Sequence, residues 1–304
     1  MEYVVTANNL CKYYPKFKAL NNFSMHVPKG AIYGFVGRNG AGKTTLIRLL
    51  TGLQHPTSGE FEIYGTKHTD SGIYSVRRRM GAVVETPSLY LDKTAEENLR
   101  LQYRTLGLPS FDGIKELLEL VGLHDTGTKK AKKFSLGMRQ RLGIAVALCG
   151  NPDFLVLDEP INGLDPQGII EIRELILKLN RERGVTVLIS SHILDELAKL
   201  ATHYGFVDGG HMVREMSAAE LEAACKKSMF LETDRPELLS TALSELNLEY
   251  RLESDSSASI FSSIEVTPLV LALHEKGISV KKLTERDESI ESFFLSLVGG
   301  GSNE

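Results

Sequence analysis

Continuous apolar runs of strand length alternate with helical segments through much of the chain. Residues 31–36 (AIYGFV), 154–157 (FLVL) and 185–189 (VTVLI) are such runs, and strands that are buried on both faces have this composition. Residues 43–53 and 166–183 instead carry apolar side chains at helical spacing. The alternation predicts a doubly wound α/β core around a parallel sheet.

Two further segments fall outside this parallel core. Residues 3–7 and 23–27 alternate apolar and polar positions, which predicts antiparallel strands in a small β-subdomain. From about residue 91 to residue 150 the apolar spacing is helical, and Thr94 opens a capping pattern with Glu97. A helical subdomain is therefore expected to interrupt the core.

The pattern changes again near residue 215, where polar linkers begin to separate short segments. We therefore expect a domain over residues 1–214 and an accessory α+β domain over residues 215–304. The predicted order in the second domain is strand, helix, strand, strand, helix, strand and helix, over residues 229–233, 236–246, 249–253, 259–266, 268–276, 279–283 and 290–297. This order is that of a split βαβ arrangement, ferredoxin-like in outline.

Charge, cysteine content and apolar run lengths exclude several classes of protein. The formal net charge of -4 argues against nucleic-acid binding through phosphate neutralisation. Cys11, Cys149 and Cys225 are widely spaced and include no CxxC pair, which fits a reducing cytosol better than a disulfide framework or a zinc site. Because no apolar run is long enough to span a bilayer, we expect work at a membrane to require a partner and no direct insertion.

A glycine-rich turn follows the first buried strand and opens a helix. Residues 37–44 (GRNGAGKT) fit the pattern GxxxxGK[ST], in which the glycines let backbone N–H groups surround a phosphate at a helix N-terminus. Lys43 is expected to reach the β- and γ-phosphates, and the Thr44 hydroxyl to bind Mg²⁺. The predicted phosphate-loop residues are Gly37, Asn39, Gly40, Ala41, Gly42, Lys43, Thr44 and Thr45.

Acidic and imidazole groups follow two other predicted strands. Asp158 and Glu159 come directly after residues 154–157, and His192 follows the strand that ends at Ser191. Since ligands gather at the carboxyl ends of parallel strands, we expect Asp158 to hold Mg²⁺ through water and Glu159 to polarise the attacking water. His192 is expected to hydrogen-bond the γ-phosphate.

Together these residues resemble the nucleotide-binding subunits of ABC transporters, from Tyr3 to Val213. The resemblance includes residues 134–138 (FSLGM), followed by RQR, which look like the LSGGQ signature. It implies a P-loop NTPase of ABC type that hydrolyses MgATP. It further implies that residues 162–165 are the D-loop ending in Asp165, that His192 is the switch histidine, and that Tyr14, or the adjacent Tyr13, stacks on adenine.

The signature implies a second anion site. Ser135 and the backbone N–H of Gly137, at a helix N-terminus, bind in this family the γ-phosphate held by the opposing subunit. With one phosphate loop and one signature in the sequence, we expect a homodimer that sandwiches two ATP molecules.

The sequence departs from the family pattern at two places. Glu85 stands where most of the family has a glutamine, and the alternatives are that it ligates Mg²⁺ or that it meets a basic coupling helix of the membrane subunit. The signature carries Leu136 and Met138 in place of Gly and Gln. The sequence resembles the subgroup that exports bacitracin and lantibiotics in both departures, in residues 85–90 (ETPSLY) and in the extra domain.

The resemblance implies an ATPase subunit that drives export through a separate transmembrane permease, with a peptide antibiotic or other amphipathic compound as cargo. The protein is then expected in the cytoplasm, at the inner face of the membrane through that permease. The alternative is a soluble regulatory ABC ATPase. Such relatives carry two nucleotide domains, a coiled coil or zinc insertions between the motifs, and the sequence has none of these.

Overall fold

The chain divides into two units, Met1–Ala218 and Ala219–Glu304, in a computed structural model that describes residues 2–225, 227–261, 265–287 and 290–299. The strands of the first unit are β1 (Tyr3–Tyr14), β2 (Phe17–Pro28), β3 (Ile32–Gly37), β4 (Ser58–Ile63), β5 (Thr66–Lys67), β6 (Met80–Val83), β7 (Phe154–Asp158), β8 (Thr186–Ser191), β9 (His203–Asp208) and β10 (His211–Ser217). Its helices are α1 (Lys43–Leu50), α2 (Ile73–Arg77), α3 (Ala95–Leu106), α4 (Gly113–Leu120), α5 (Leu136–Ala147), α6 (Pro166–Arg183) and α7 (Leu194–Ala198).

The largest sheet of the first unit has six strands in the order β10-β9-β3-β8-β7-β6. Neighbouring strands from β9 through β6 are parallel, and β10 is antiparallel to β9. Every residue of β3, β7 and β8 is buried, as expected for a sheet with both faces covered. The predicted α/β core is confirmed.

A second sheet in this unit is antiparallel, with the order β2-β1-β4-β5. It shares one apolar core with α1 and the large sheet, in which Leu10, Phe23 and Phe61 pack with Leu46 and Phe154. The antiparallel layer was predicted from β1 and β2. The strands β4, β5, β9 and β10 were not predicted.

Three helices, α3 to α5, lie between β6 and β7 in the chain. Thr94 caps α3 in a full capping box with Glu97, which confirms the cap predicted there. Two short 3-10 turns, His124–Thr126 and Ala131–Lys133, join α4 to α5. Among the described residues, no helix combines the length and the apolar character that crossing a bilayer requires.

The second unit contains a four-stranded antiparallel sheet with the order β12-β13-β11-β14. The elements that build this unit are α8 (Ala218–Ala224), β11 (Lys227–Thr233), α9 (Pro236–Glu245), β12 (Tyr250–Ser254), β13 (Ser257–Ile260), α10 (Val266–Glu275), β14 (Val280–Asp287) and α11 (Ile290–Gly299). The order β11-α9-β12-β13-α10-β14 is the predicted ferredoxin-like arrangement. The strand expected over residues 259–266 is shorter, and residues 262–264 lie outside the described residues.

Candidate active site

Three adjacent parallel strands bring the predicted site residues to one edge of the large sheet. In the register of these strands, Phe35 of β3 and Asp158 of β7 both pair with Ser190 of β8. Gly37, Glu159 and His192 follow these positions directly or closely in sequence. The carboxyl ends of β3, β7 and β8 therefore converge, where open α/β sheets bind ligands.

The loop between β3 and α1 depends on glycine at its two ends. Gly42 has φ of 105°, and a Cβ there would collide with the backbone carbonyl of Ala19. A Cβ on Gly37 would collide with Val207 of β9. These positions let the loop turn closely over the sheet edge into α1, whose first backbone N–H groups are available to an anion.

Lys43, the first residue of α1, points back into this loop. Its side chain is 6 % exposed, and Nζ lies 3.3 Å from Oε1 of Glu159. Nζ also donates hydrogen bonds to the carbonyl oxygens of Gly37, at 2.6 Å, and Arg38, at 3.3 Å. The loop thus holds a buried cation at its centre, which suits it to receive phosphate charge.

Glu159 lies between Lys43 and His192. Its Oε2 is 2.8 Å from Nδ1 of His192, while Oε1 faces the Lys43 ammonium. The residue has φ of 49°, in the left-handed region that non-glycine residues seldom adopt. This backbone turn follows directly on β7, and the carboxylate beyond it contacts Lys43 and His192.

Asp158 is buried and has one carboxylate oxygen without a protein partner. Its Oδ1 accepts a hydrogen bond of 2.6 Å from the Ser190 hydroxyl, while Oδ2 has no hydrogen-bond partner within the described part of the chain. A buried, unpartnered carboxylate oxygen calls for a compensating cation or donor. The oxygen donors of Asp158 and half-buried Thr44 fit Mg²⁺, a hard cation that prefers oxygen and retains water ligands.

Glu85 lies in a different environment from the cluster just described. It has φ of 59°, its side chain is 56 % exposed, and Oε1 pairs with Nη2 of Arg48 on α1. Both residues line a groove of about 440 Å³, together with Pro87 and Gly143. The structure therefore shows Glu85 with a cationic partner that the sequence did not indicate.

The two aromatic candidates near the loop differ in their surroundings. Tyr14 stacks on Phe17 with ring centroids 5.0 Å apart, and its hydroxyl donates to Gln54 at 2.6 Å. The Tyr13 side chain is 37 % exposed, and its hydroxyl donates to Asn21 at 3.1 Å. Both rings remain candidates for stacking on a base.

The signature segment and the segment around Asp165 adjoin each other at two helix N-termini. Ser135 caps α5 by accepting a 3.2 Å hydrogen bond from the Met138 N–H, and Asp165 caps α6 by accepting one of 3.0 Å from Gly168 N–H. A Cβ on Gly137 would lie 3.8 Å from Cα of Gly168. Ser135 itself is exposed, so this helix start faces outward.

Two residues with contacts in the site, Ser190 and Arg48, were assigned no role from the sequence. The sequence identified Ser190 only as part of a strand end. Once the order of the strands is known, a hydroxyl on the strand beside Asp158 predicts a hydrogen bond to that carboxylate. Arg48 is one α-helical turn beyond Thr44 on α1. No pattern in the sequence connects it to Glu85.

The arrangement of Lys43, Asp158 and Glu159 is suited to phosphoryl transfer. Lys43 and the N-terminus of α1 can neutralise phosphate charge, and the Glu159 carboxylate can accept a proton from water. The Glu159–His192 contact orients the imidazole. Mg²⁺, where bound by Thr44 and Asp158, would supply positive charge to the phosphate oxygens.

Comparison with known proteins identifies the family. Residues 20–162 match the model of the ABC transporter family. The chain is 38 % identical to the bacitracin transport ATP-binding protein BcrA of Enterococcus faecalis, over 99 % of this chain and 98 % of that protein. It is 44 % identical to the lantibiotic transport ATP-binding protein SrtF of Streptococcus pyogenes, over 68 % of this chain and 88 % of that protein.

A match to a solved structure indicates the same family. The dimeric post-hydrolysis state of the ATP-binding cassette MJ0796, bound to ADP and Pi, matches 70 % of this chain and 98 % of its own, with a TM-score of 0.64 and 27 % identity. The fold, the convergent strand ends and the relatives that match nearly the whole chain agree with one another. The chain therefore belongs to the ATP-binding proteins of ABC transporters, which are ATPases coupled to transport.

Proposed function

We propose that this ATPase subunit drives export of a peptide antibiotic, or a related amphipathic compound, through a separate membrane permease. The observation that carries the proposal is the match to BcrA, which extends over 99 % of the chain and so includes the second unit. SrtF, a protein named for lantibiotic transport, matches as well. The subunit would act in the cytoplasm, at the inner face of the membrane.

The proposed roles of the residues follow their positions. The phosphate loop, Gly37 and residues 39–45, would bind the phosphates of ATP, with Thr44 and Asp158 holding Mg²⁺. Glu159 would be the general base, and His192 would bind the γ-phosphate. Tyr14, or the adjacent Tyr13, would stack on adenine. Glu85 remains a candidate metal ligand or a contact for the permease.

A second copy would complete each site. Two observations support this dimer. Ser135 and Gly137 lie at an outward-facing helix start, and the glycine at position 137 has no role in packing. Among the residues that the structure describes, a Cβ there would meet no atom closer than Cα of Gly168, at 3.8 Å, so packing does not require the glycine. Its N–H and the Ser135 hydroxyl would bind the ATP of the facing subunit, and Asp165 would lie at the same interface.

Residues 1–214 would form the nucleotide-binding domain, with its helical subdomain over about 91–150, and residues 215–304 would form the accessory domain.

The export proposal can be tested in a bacitracin-sensitive host. The chain would be expressed with a multi-span membrane protein encoded beside its gene, and the minimum inhibitory concentrations of bacitracin and of a lantibiotic would be measured. We expect resistance to at least one of them, and none when Glu159→Gln replaces the wild-type chain. Equal resistance with both chains would contradict coupling to hydrolysis, and unchanged sensitivity to both peptides would contradict the proposed cargo.

A further inference from the structure

Ser190 joins the two acidic residues of the site through one hydroxyl group. It is fully buried at the end of β8, and its Oγ lies 2.6 Å from Oδ1 of Asp158 and 3.0 Å from the backbone nitrogen of Glu159. A hydroxyl has one proton to donate and two lone pairs to accept with. Because an amide N–H can only donate, Ser190 must accept from Glu159 and give its own proton to Asp158.

The donated proton determines which oxygen of Asp158 remains available. Oδ1 is occupied by the Ser190 hydroxyl, whereas Oδ2 is buried and unpartnered among the described residues. A carboxylate held at one oxygen cannot rotate freely about its Cβ–Cγ bond. The hydrogen bond thus presents Oδ2 in a fixed direction, as outer partners of metal-binding groups commonly do.

The accepted hydrogen bond acts on the backbone of Glu159. Its N–H is shared between the Ser190 carbonyl oxygen, at 3.2 Å, and the Ser190 hydroxyl, at 3.0 Å. This N–H belongs to the residue with φ of 49°, a conformation that needs support from its surroundings. The same turn places the Glu159 carboxylate against Lys43 and His192.

We propose that Ser190 is a positioning residue for the ATPase reaction, which orients the Asp158 carboxylate toward Mg²⁺ and holds the turn that directs Glu159. The inference rests on the proposed function, since it takes Asp158 as the residue that holds the metal. Ser190 touches neither nucleotide nor metal in this scheme. Its contribution is transmitted through Asp158 and Glu159.

The inference predicts a specific loss of metal affinity in Ser190→Ala. The full chain would be loaded with AMP-PNP, and Mn²⁺ binding measured by electron paramagnetic resonance. Binding of AMP-PNP in EDTA would be measured separately by calorimetry. We expect the Mn²⁺ dissociation constant to rise about 10-fold, with metal-free nucleotide binding unchanged. This is the lower end of the usual effect of removing an outer partner of a metal ligand, because Asp158 would hold the metal through water.

Thr186→Val supplies a matched control for loss of a buried hydroxyl. Thr186 begins the same strand and is 1 % exposed, but its Oγ1 accepts a hydrogen bond from Gly30 at 2.9 Å, at the opposite end of β8 from Ser190. We expect this variant to bind Mn²⁺ and AMP-PNP as the wild type does. The comparison separates an effect on the site from a general weakening of the strand.

Two results for the Ser190→Ala variant would overturn the inference. One is unchanged Mn²⁺ affinity in Ser190→Ala, and the other is a parallel loss of Mn²⁺ affinity and metal-free nucleotide binding, which would indicate a structural role. If the wild-type chain itself bound no Mn²⁺ beside AMP-PNP, the proposed metal site would fail and this inference with it. Normal wild-type binding with an unaffected Ser190→Ala would overturn the inference alone.

Discussion

At the scale of single residues, Glu85 combines a left-handed backbone with a charged partner. Its φ of 59° turns the chain directly after β6, and its carboxylate pairs with Arg48. Both side chains are at least one third exposed, so the pair adds at most about 1 kcal/mol to the free energy of unfolding. We therefore expect the pair to fix the position of the Glu85 side chain rather than to stabilise the fold.

Glu85→Gln is expected to retain basal ATP hydrolysis to a greater extent than transport. Removing the carboxylate breaks the pair with Arg48 but leaves the cluster of Lys43, Asp158 and Glu159 intact. Arg48→Met breaks the same pair from the other side, so the double variant should lose no more transport than either single variant. The measurements are ATPase activity of the isolated chain and peptide resistance of cells that carry the complete transporter. Equal loss of both activities in Glu85→Gln would instead place Glu85 in the chemical step.

At the scale of secondary-structure elements, α3 and α5 both begin with a hydroxyl cap. Thr94 accepts from the Glu97 N–H at 3.1 Å, and Ser135 accepts from the Met138 N–H at 3.2 Å. Each cap satisfies an N–H group that the helix leaves without a partner. The two caps have similar geometry, but Ser135 alone belongs to the signature segment.

Thr94→Ala and Ser135→Ala are expected to separate capping from nucleotide binding. Each substitution should lower the free energy of unfolding by about 1 kcal/mol, the typical value for a lost N-cap, as measured by urea denaturation. Only Ser135→Ala should strongly reduce ATPase activity, because its hydroxyl would contact the ATP of the facing subunit. Comparable loss of ATPase activity in both variants would mean that Ser135 acts only through α5.

The elements of this protein were predictable where the sequence pattern is local. The apolar runs in β3, β7 and β8 predicted the core sheet. They therefore also predicted the sheet edge where Lys43, Asp158 and Glu159 meet. The strands β4 and β9 were missed, because their burial depends on partners distant in sequence. The contacts of Ser190 with Asp158 and Glu159 depend on strand order and register, which no single segment of sequence encodes. The Arg48–Glu85 pair depends likewise on the placement of α1 beside the end of β6.

At the scale of the whole molecule, each of the two units has its own apolar core. The second unit is built around β11, β13 and two helices, where Leu231, Leu239 and Leu273 are fully buried. The core shared by the two sheets of the first unit consists of other residues, including Phe23 and Phe154. Units with separate cores are expected to unfold in separate steps.

Leu231→Ala should destabilise the second unit by roughly 2–5 kcal/mol, the usual range for truncating a buried leucine. Differential scanning calorimetry should then show one transition moved to lower temperature and the other unchanged, with MgATP binding retained. Leu252→Ala on β12 is the control, because that side chain is 48 % exposed, and it should leave both transitions in place. Movement of both transitions together in Leu231→Ala would show that the two units unfold as one.

The central claim is that two copies of this chain close around ATP, with the Lys43 loop of one facing the Ser135 helix of the other. Glu159→Gln removes the proposed base while leaving Lys43 and the loop in place, so bound MgATP should persist and hold the dimer together. Light scattering coupled to size-exclusion chromatography measures this directly. We predict twice the monomer mass with MgATP, and the monomer mass without nucleotide or when Ser135→Ala is added. A Glu159→Gln chain that binds MgATP and remains monomeric at high protein concentration would contradict the account.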